Sequence, residues 1–71
     1  MATYTDEPRL QRLPKVCERI GASKSAVYRW IHAGKFPAPI RIGDRTSAWE
    51  ARAIDRWIAD RIAERDAKAA I

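Results

Sequence analysis

Residues 13–34 read LPKVCERIGASKSAVYRWIHAG, and this stretch decides how the chain folds. Pro14 suits the first turn of a helix and Gly21 suits a left-handed helix end, which predicts a first helix of about two turns. Ser23 is a favourable N-cap and Gly34 a second stop, so another helix is predicted between them. Two short helices separated by so tight a turn indicate a helix-turn-helix unit.

The second predicted helix, residues 24–33, has two distinct faces when its residues are placed at about 100° per step. Val27, Trp30 and Ile31 fall on one face, which we expect to be buried. The opposite face carries polar, basic and aromatic side chains: Lys24, Ser25, Tyr28, Arg29 and His32. Most polar helix faces are simply solvated, so this pattern becomes informative only together with the charge of the chain.

The rest of the chain predicts a hairpin and a third helix. Pro37 and Pro39 favour an extended connector. The alternating stretches Ile40-Arg41-Ile42 and Thr46-Ser47-Ala48-Trp49 flank a Gly43-Asp44-Arg45 turn, which predicts a two-stranded hairpin with Ile40, Ile42 and Trp49 on its buried face. The last helix is predicted from residue 50 to about residue 67. The predicted core is apolar throughout and comprises Leu13, Val16, Ile20, Val27, Trp30, Ile31, Phe36, Ile40, Ile42, Trp49, Ile54, Trp57 and Ile58.

These elements predict one domain, which is all that 71 residues can hold. The fold class is mainly α with a small β-hairpin, a winged helix-turn-helix of three helices and a two-stranded wing. Residues 1–9 are expected to form a flexible N-terminal arm, residues 10–67 the folded domain, and residues 68–71 a frayed C-terminus.

Charge is distributed unevenly along the chain. Between Arg9 and Arg45 there are nine Lys or Arg residues and two acidic ones, a net of +7, whereas residues 50–71 carry five of each sign. A net positive charge of that density favours binding to a polyanion such as nucleic acid. The balanced charges of the last helix indicate a structural role.

The sequence contains few of the residue groupings that catalysis requires. His32 is the only histidine and Cys17 the only cysteine, so neither a disulfide, nor a metal site, nor a Ser/His/Asp arrangement is expected within the chain. We expect no catalysis and no cofactor. There is no apolar run long enough for a membrane span and no secretory signal, so a cytoplasmic, nucleoid-associated protein is expected.

The helix-turn-helix geometry would place residues 24–33 in the major groove of duplex DNA. Arg29 can bond guanine O6 and N7 with two parallel bonds, and Ser25 can donate or accept at either kind of base pair. Lys24 and the free N–H groups near Ser23 suit a phosphate. Tyr28 could bond a phosphate or pack on a sugar, and His32 could touch the groove rim.

The hairpin supplies a second candidate contact. Arg41 and Arg45 on a wing could follow the phosphates of the adjoining minor groove. Arginines on an isolated hairpin usually serve only to keep a strand edge soluble. Arg12, Lys15 and Lys35 are weaker candidates for contacts with the DNA backbone.

The residues resemble a known family, the AlpA-type phage and prophage regulators, which are small winged helix-turn-helix proteins related to excisionases and to MerR-type DNA-binding regions. The resemblance covers about residues 10–65. It rests on Ser23-Lys24-Ser25-Ala26-Val27-Tyr28-Arg29, on Gly34-Lys35-Phe36-Pro37, on the hairpin and on Trp49 before the last helix. Glu50-Ala51 departs from the pattern, since a proline often opens that helix in such proteins. The resemblance implies DNA binding, with Ser25, Tyr28 and Arg29 on the recognition helix and Arg41 and Arg45 on the wing.

Two roles fit this resemblance equally. One is a transcriptional regulator of integration and excision genes, which would work with RNA polymerase. The other is an excisionase that binds and bends attachment-site DNA beside an integrase or other recombinase. Either role would favour self-association on paired or tandem sites. An alternative from another class is a small basic protein-interaction module, such as an anti-repressor or inhibitor of an acidic partner.

Overall fold

The computed structural model describes residues 9–69, which form three helices and a three-stranded antiparallel sheet. In chain order the elements are β1 (Leu10–Gln11), α1 (Leu13–Ile20), α2 (Lys24–His32), β2 (Ile40–Gly43), β3 (Thr46–Glu50) and α3 (Ala51–Ala69). The predicted fold class, a mainly helical winged helix-turn-helix, is confirmed. Most of the predicted arm lies outside the described residues.

The ends of α1 and α2 are set by local signals. A proline occupies the first turn of α1, and Gly21 ends the helix in the left-handed region at φ 67°, donating its N–H to the Cys17 carbonyl. The Ser23 hydroxyl oxygen caps α2 by accepting from the Ala26 N–H at 3.1 Å. Gly34 follows that helix at φ 73°, a conformation that glycine adopts without strain. The turn between the helices is therefore as short as the sequence predicts.

The sheet has one strand more than the sequence predicts. Its order is β1-β3-β2, and β1 pairs Leu10 with Glu50 and Gln11 with Trp49. The hairpin itself spans β2 and β3, with Asp44 and Arg45 as the turn. The wing is therefore anchored along one edge to the segment that leads into α1.

The prediction that Ile40 and Ile42 are buried is wrong. Their exposed fractions are 43% and 48%. The register places Ile40 opposite Ala48, the neighbour of Trp49, and adjacent residues of a strand point to opposite faces. Since Trp49 faces the main core cluster, Ile40 lies on the opposite face of the sheet, beside Ala48, which is buried there.

The core lies between the inner face of the sheet and the three helices. Its buried members are Val16, Val27, Phe36, Trp49 and Ile54, and the partly buried side chains packed around them include Leu13, Ile20, Trp30, Ile31, Trp57 and Ile58. Two indole groups also hold the connector between α2 and the wing. Trp49 Nε1 donates to the Pro37 carbonyl at 2.9 Å, and Trp57 Nε1 donates to the Lys35 carbonyl at 2.8 Å. The core therefore fixes the path from helix to wing.

The last helix differs from its prediction at both ends. Glu50 belongs to β3, so α3 begins at Ala51, whose N–H donates to the Arg9 carbonyl at 2.8 Å. That bond satisfies one free donor of the first turn without the proline that often opens this helix in AlpA-type proteins. The helix continues to Ala69, so two residues of the predicted frayed end, 68 and 69, are helical and the other two lie outside the described residues.

Candidate nucleic-acid interface

The polar face of α2 is free to meet a ligand. The five side chains predicted for this face are all exposed: Lys24, Ser25, Tyr28, Arg29 and His32. Tyr28 exposes 42% of its surface, whereas Val27 beside it is fully buried and Trp30 and Ile31 pack against the core. Burial of one face thus fixes the rotation of the helix and directs the opposite face outward.

The first turn of α2 can receive an anion. Ser23 Oγ already accepts from Ala26, and the Ser23 carbonyl accepts from the Val27 N–H at 3.0 Å. The N–H groups of Lys24 and Ser25 come before the first backbone hydrogen bond of the helix, at its positively polarised end. Lys24 adds a full charge at the same end, which makes this the natural place for a phosphate.

The wing concentrates positive charge near its tip. Arg41 and Arg45 are both exposed. Arg41 Nη1 donates to the Asp44 carbonyl at 2.7 Å, which draws the guanidinium toward the turn while leaving its other N–H donors available. The two arginines therefore lie at the end of the hairpin that projects farthest from the paired β1.

The weaker candidates differ from one another in their surroundings. Arg12 directly precedes α1 and is exposed, and the side chain of Lys35 is exposed while its carbonyl is held by Trp57. Lys15 instead pairs with Glu18 at 3.4 Å across one turn of α1. A phosphate at Lys15 would have to compete with that carboxylate.

Arg19 is a structural residue that the sequence analysis did not distinguish from the other basic residues. It exposes only 18% of its side chain, forms an ion pair with Asp55 of α3, and donates to Gln11 Oε1 at 2.8 Å. It therefore ties α1 to α3 and to β1 and is withdrawn from any ligand. No local pattern indicates this role, because its partners Gln11, Ala51 and Asp55 lie 8, 32 and 36 residues away.

Within residues 9–69, no group of three His, Cys, Asp or Glu side chains could hold a metal ion. None of the helices in that same part of the chain combines the length and the apolar character needed to cross a bilayer.

Comparison with known proteins identifies the family of this chain. Residues 9–62 match the family model described as the prophage CP4-57 regulatory protein (AlpA). The chain is also 36% identical over 59 residues to the uncharacterised protein ORF88 of Enterobacteria phage P4, an alignment that covers 83% of this chain and 67% of that protein. The family match includes α1, α2, the hairpin and the first part of α3.

Proposed function

Because the chain belongs to the AlpA family of prophage regulatory proteins, we propose that it is a sequence-specific double-stranded DNA-binding protein of a phage or mobile element that regulates transcription of integration and excision genes. One observation carries the proposal. The polar face of α2, which includes Tyr28 and Arg29, is exposed beside a tight helix-helix turn, while its apolar face is buried.

In this proposal α2 enters the major groove and reads bases. An α-helix with its side chains is about 10–12 Å across, which fits the major groove of about 12 Å. Arg29 bonds guanine O6 and N7, and Ser25 contacts a neighbouring base edge. Tyr28 and His32 contact the sugar-phosphate rim.

Phosphate contacts supply most of the affinity. Lys24 and the first-turn N–H groups hold one phosphate, while Arg41 and Arg45 reach the backbone on either side of the minor groove. Arg12 and Lys35 add contacts where the duplex passes the body of the domain. A single recognition helix covers only a short site, so copies on paired or tandem sites are part of the proposal.

The experiment is selection of binding duplexes from a random library, followed by fluorescence anisotropy on a selected and a scrambled duplex. We expect enrichment of one motif and, with about five or six basic groups at phosphates, a slope of log affinity against log salt near −5. Lys68→Ala, which removes an exposed charge at the far end of α3, serves as the control and should leave the slope unchanged. Failure to bind any duplex would refute the proposal and favour a protein-interaction module.

Footprinting across the attachment site and the neighbouring promoter separates regulation from excision. Protected sites confined to the promoter, whether single or paired, support the proposed regulator. Phased sites over the attachment DNA, with no protection at the promoter, would instead assign the excisionase role.

A further inference from the structure

The wing carries two apolar side chains that the core does not use. Ile40 and Ile42 expose 43% and 48% of their surfaces on β2. The other large apolar side chains exposed to a similar degree within residues 9–69 are Leu10, Tyr28 and Ile62, each on a different element. Among the described elements, only β2 presents two such residues.

A bulge changes the strand at Ile42. Arg41 pairs with Ser47 and Gly43 pairs with Thr46, so β2 uses one residue more than β3 and Ile42 has no residue opposite it. Bulges of this kind interrupt the pairing and re-aim a side chain. Here the bulge lies immediately before the turn, so Ile42 is presented near the tip of the wing.

Two guanidinium groups lie close to this apolar pair, at the tip of the wing. The Arg41 guanidinium is held at the turn by its bond to the Asp44 carbonyl, and Arg45 lies in the turn itself. Apolar groups next to guanidinium groups match the minor groove of DNA, whose walls are deoxyribose C–H surfaces and whose floor has negative potential. In the proposed complex the wing already lies along this groove, because Arg41 and Arg45 reach the backbone on either side of it.

We propose that Ile42, with Ile40 beside it, packs into the minor groove next to the site read by α2, and that this apolar contact bends the duplex. The inference rests on the proposed DNA binding and adds the residue that deforms the DNA. Proteins that insert an apolar side chain into the minor groove kink the duplex by about 20–90°. The specificity of binding would then depend partly on how easily the DNA under the wing bends.

The test compares three variants with the wild-type chain on the selected duplex. Ile42→Thr removes apolar surface but keeps a β-branched side chain, so the strand should persist. Ile62→Thr is the matched control, because Ile62 is 47% exposed but lies on α3. Leu10→Thr changes an exposed residue at the opposite edge of the sheet. Far-UV circular dichroism checks the fold, anisotropy gives the affinity, and energy transfer between dyes at the two duplex ends gives the bend.

We expect Ile42→Thr to weaken binding about tenfold and to lose most of the bend. In the wild-type complex roughly half of the isoleucine side chain is removed from water, and the variant gives up most of that apolar burial. Both control variants should bind and bend as the wild type does. Equal affinity and equal bending by Ile42→Thr would overturn the inference while leaving the proposed function intact. Absence of any duplex binding by the wild type would overturn both.

A further outcome would assign the isoleucines to a protein contact. If Ile42→Thr and Leu10→Thr both change the sedimentation of the protein without DNA, and neither changes the bend, then the outer sheet face joins copies of the chain. That result would also overturn the minor-groove contact.

Discussion

Trp49→Ala should remove a large part of the stability of the domain. Trp49 is 1% exposed at the centre of the sheet and packs with Val16, Val27, Phe36 and Ile54. Truncating a buried tryptophan typically costs about 3–5 kcal/mol. At roughly 0.05–0.15 kcal/mol per residue the whole domain has only about 4–11 kcal/mol of stability, so the substitution should remove between about a quarter and all of it.

Urea denaturation followed by circular dichroism measures this loss, and Trp57→Ala is the matched control. Both indoles donate one hydrogen bond to a connector carbonyl, but Trp57 is only partly buried. Trp57 also packs on the rings of Trp30 and Phe36, whose centroids lie 5.7 and 5.0 Å away, so Trp57→Ala should cost less than Trp49→Ala but more than a surface substitution. A loss below about 1 kcal/mol for Trp49→Ala, or a larger loss for Trp57→Ala, would refute the assignment of Trp49 to the core, because such a value is typical of surface substitutions.

Three further substitutions test other parts of the structure. Ser23→Ala removes the N-cap of α2 and should lower the free energy of unfolding by about 1 kcal/mol in thermal melts; an unchanged melting temperature would show that the cap contributes nothing. Arg19→Met should lower stability by roughly 1–2 kcal/mol, because it leaves the buried Gln11 amide oxygen without its donor, yet it should not alter the salt slope of DNA binding. Lys15→Gln should change that slope by less than one, since Glu18 already pairs with the ammonium group, and a full unit of change would mean that the pair opens for a phosphate.

The helices could be predicted because their signals are local. Pro14, Gly21, Ser23 and Gly34 each act within one turn of chain, and the observed ends of α1 and α2 lie within one residue of the predicted ones. The exposed face of α2 followed from helix periodicity for the same reason. Its role in DNA binding stays a prediction.

The sheet could not be predicted in full, because strand faces depend on pairing between distant segments. The two residues of β1 are too few to show alternation, so their pairing with Trp49 and Glu50 left no signal. Ile40 and Trp49 look equivalent in an alternating sequence, but the register places them on opposite faces. The ion pair of Arg19 with Asp55 is likewise a product of the tertiary fold.

The decisive comparison is the binding of Arg29→Ala and Arg45→Ala to a selected duplex and to a scrambled duplex. Arg29→Ala should weaken the selected complex by about 1–3 kcal/mol, relax preference at one base position and leave the scrambled complex nearly unchanged. Arg45→Ala should weaken both complexes alike and reduce the salt slope by about one. If the two substitutions weaken both duplexes equally, α2 does not read the bases and the proposed division between helix and wing is wrong.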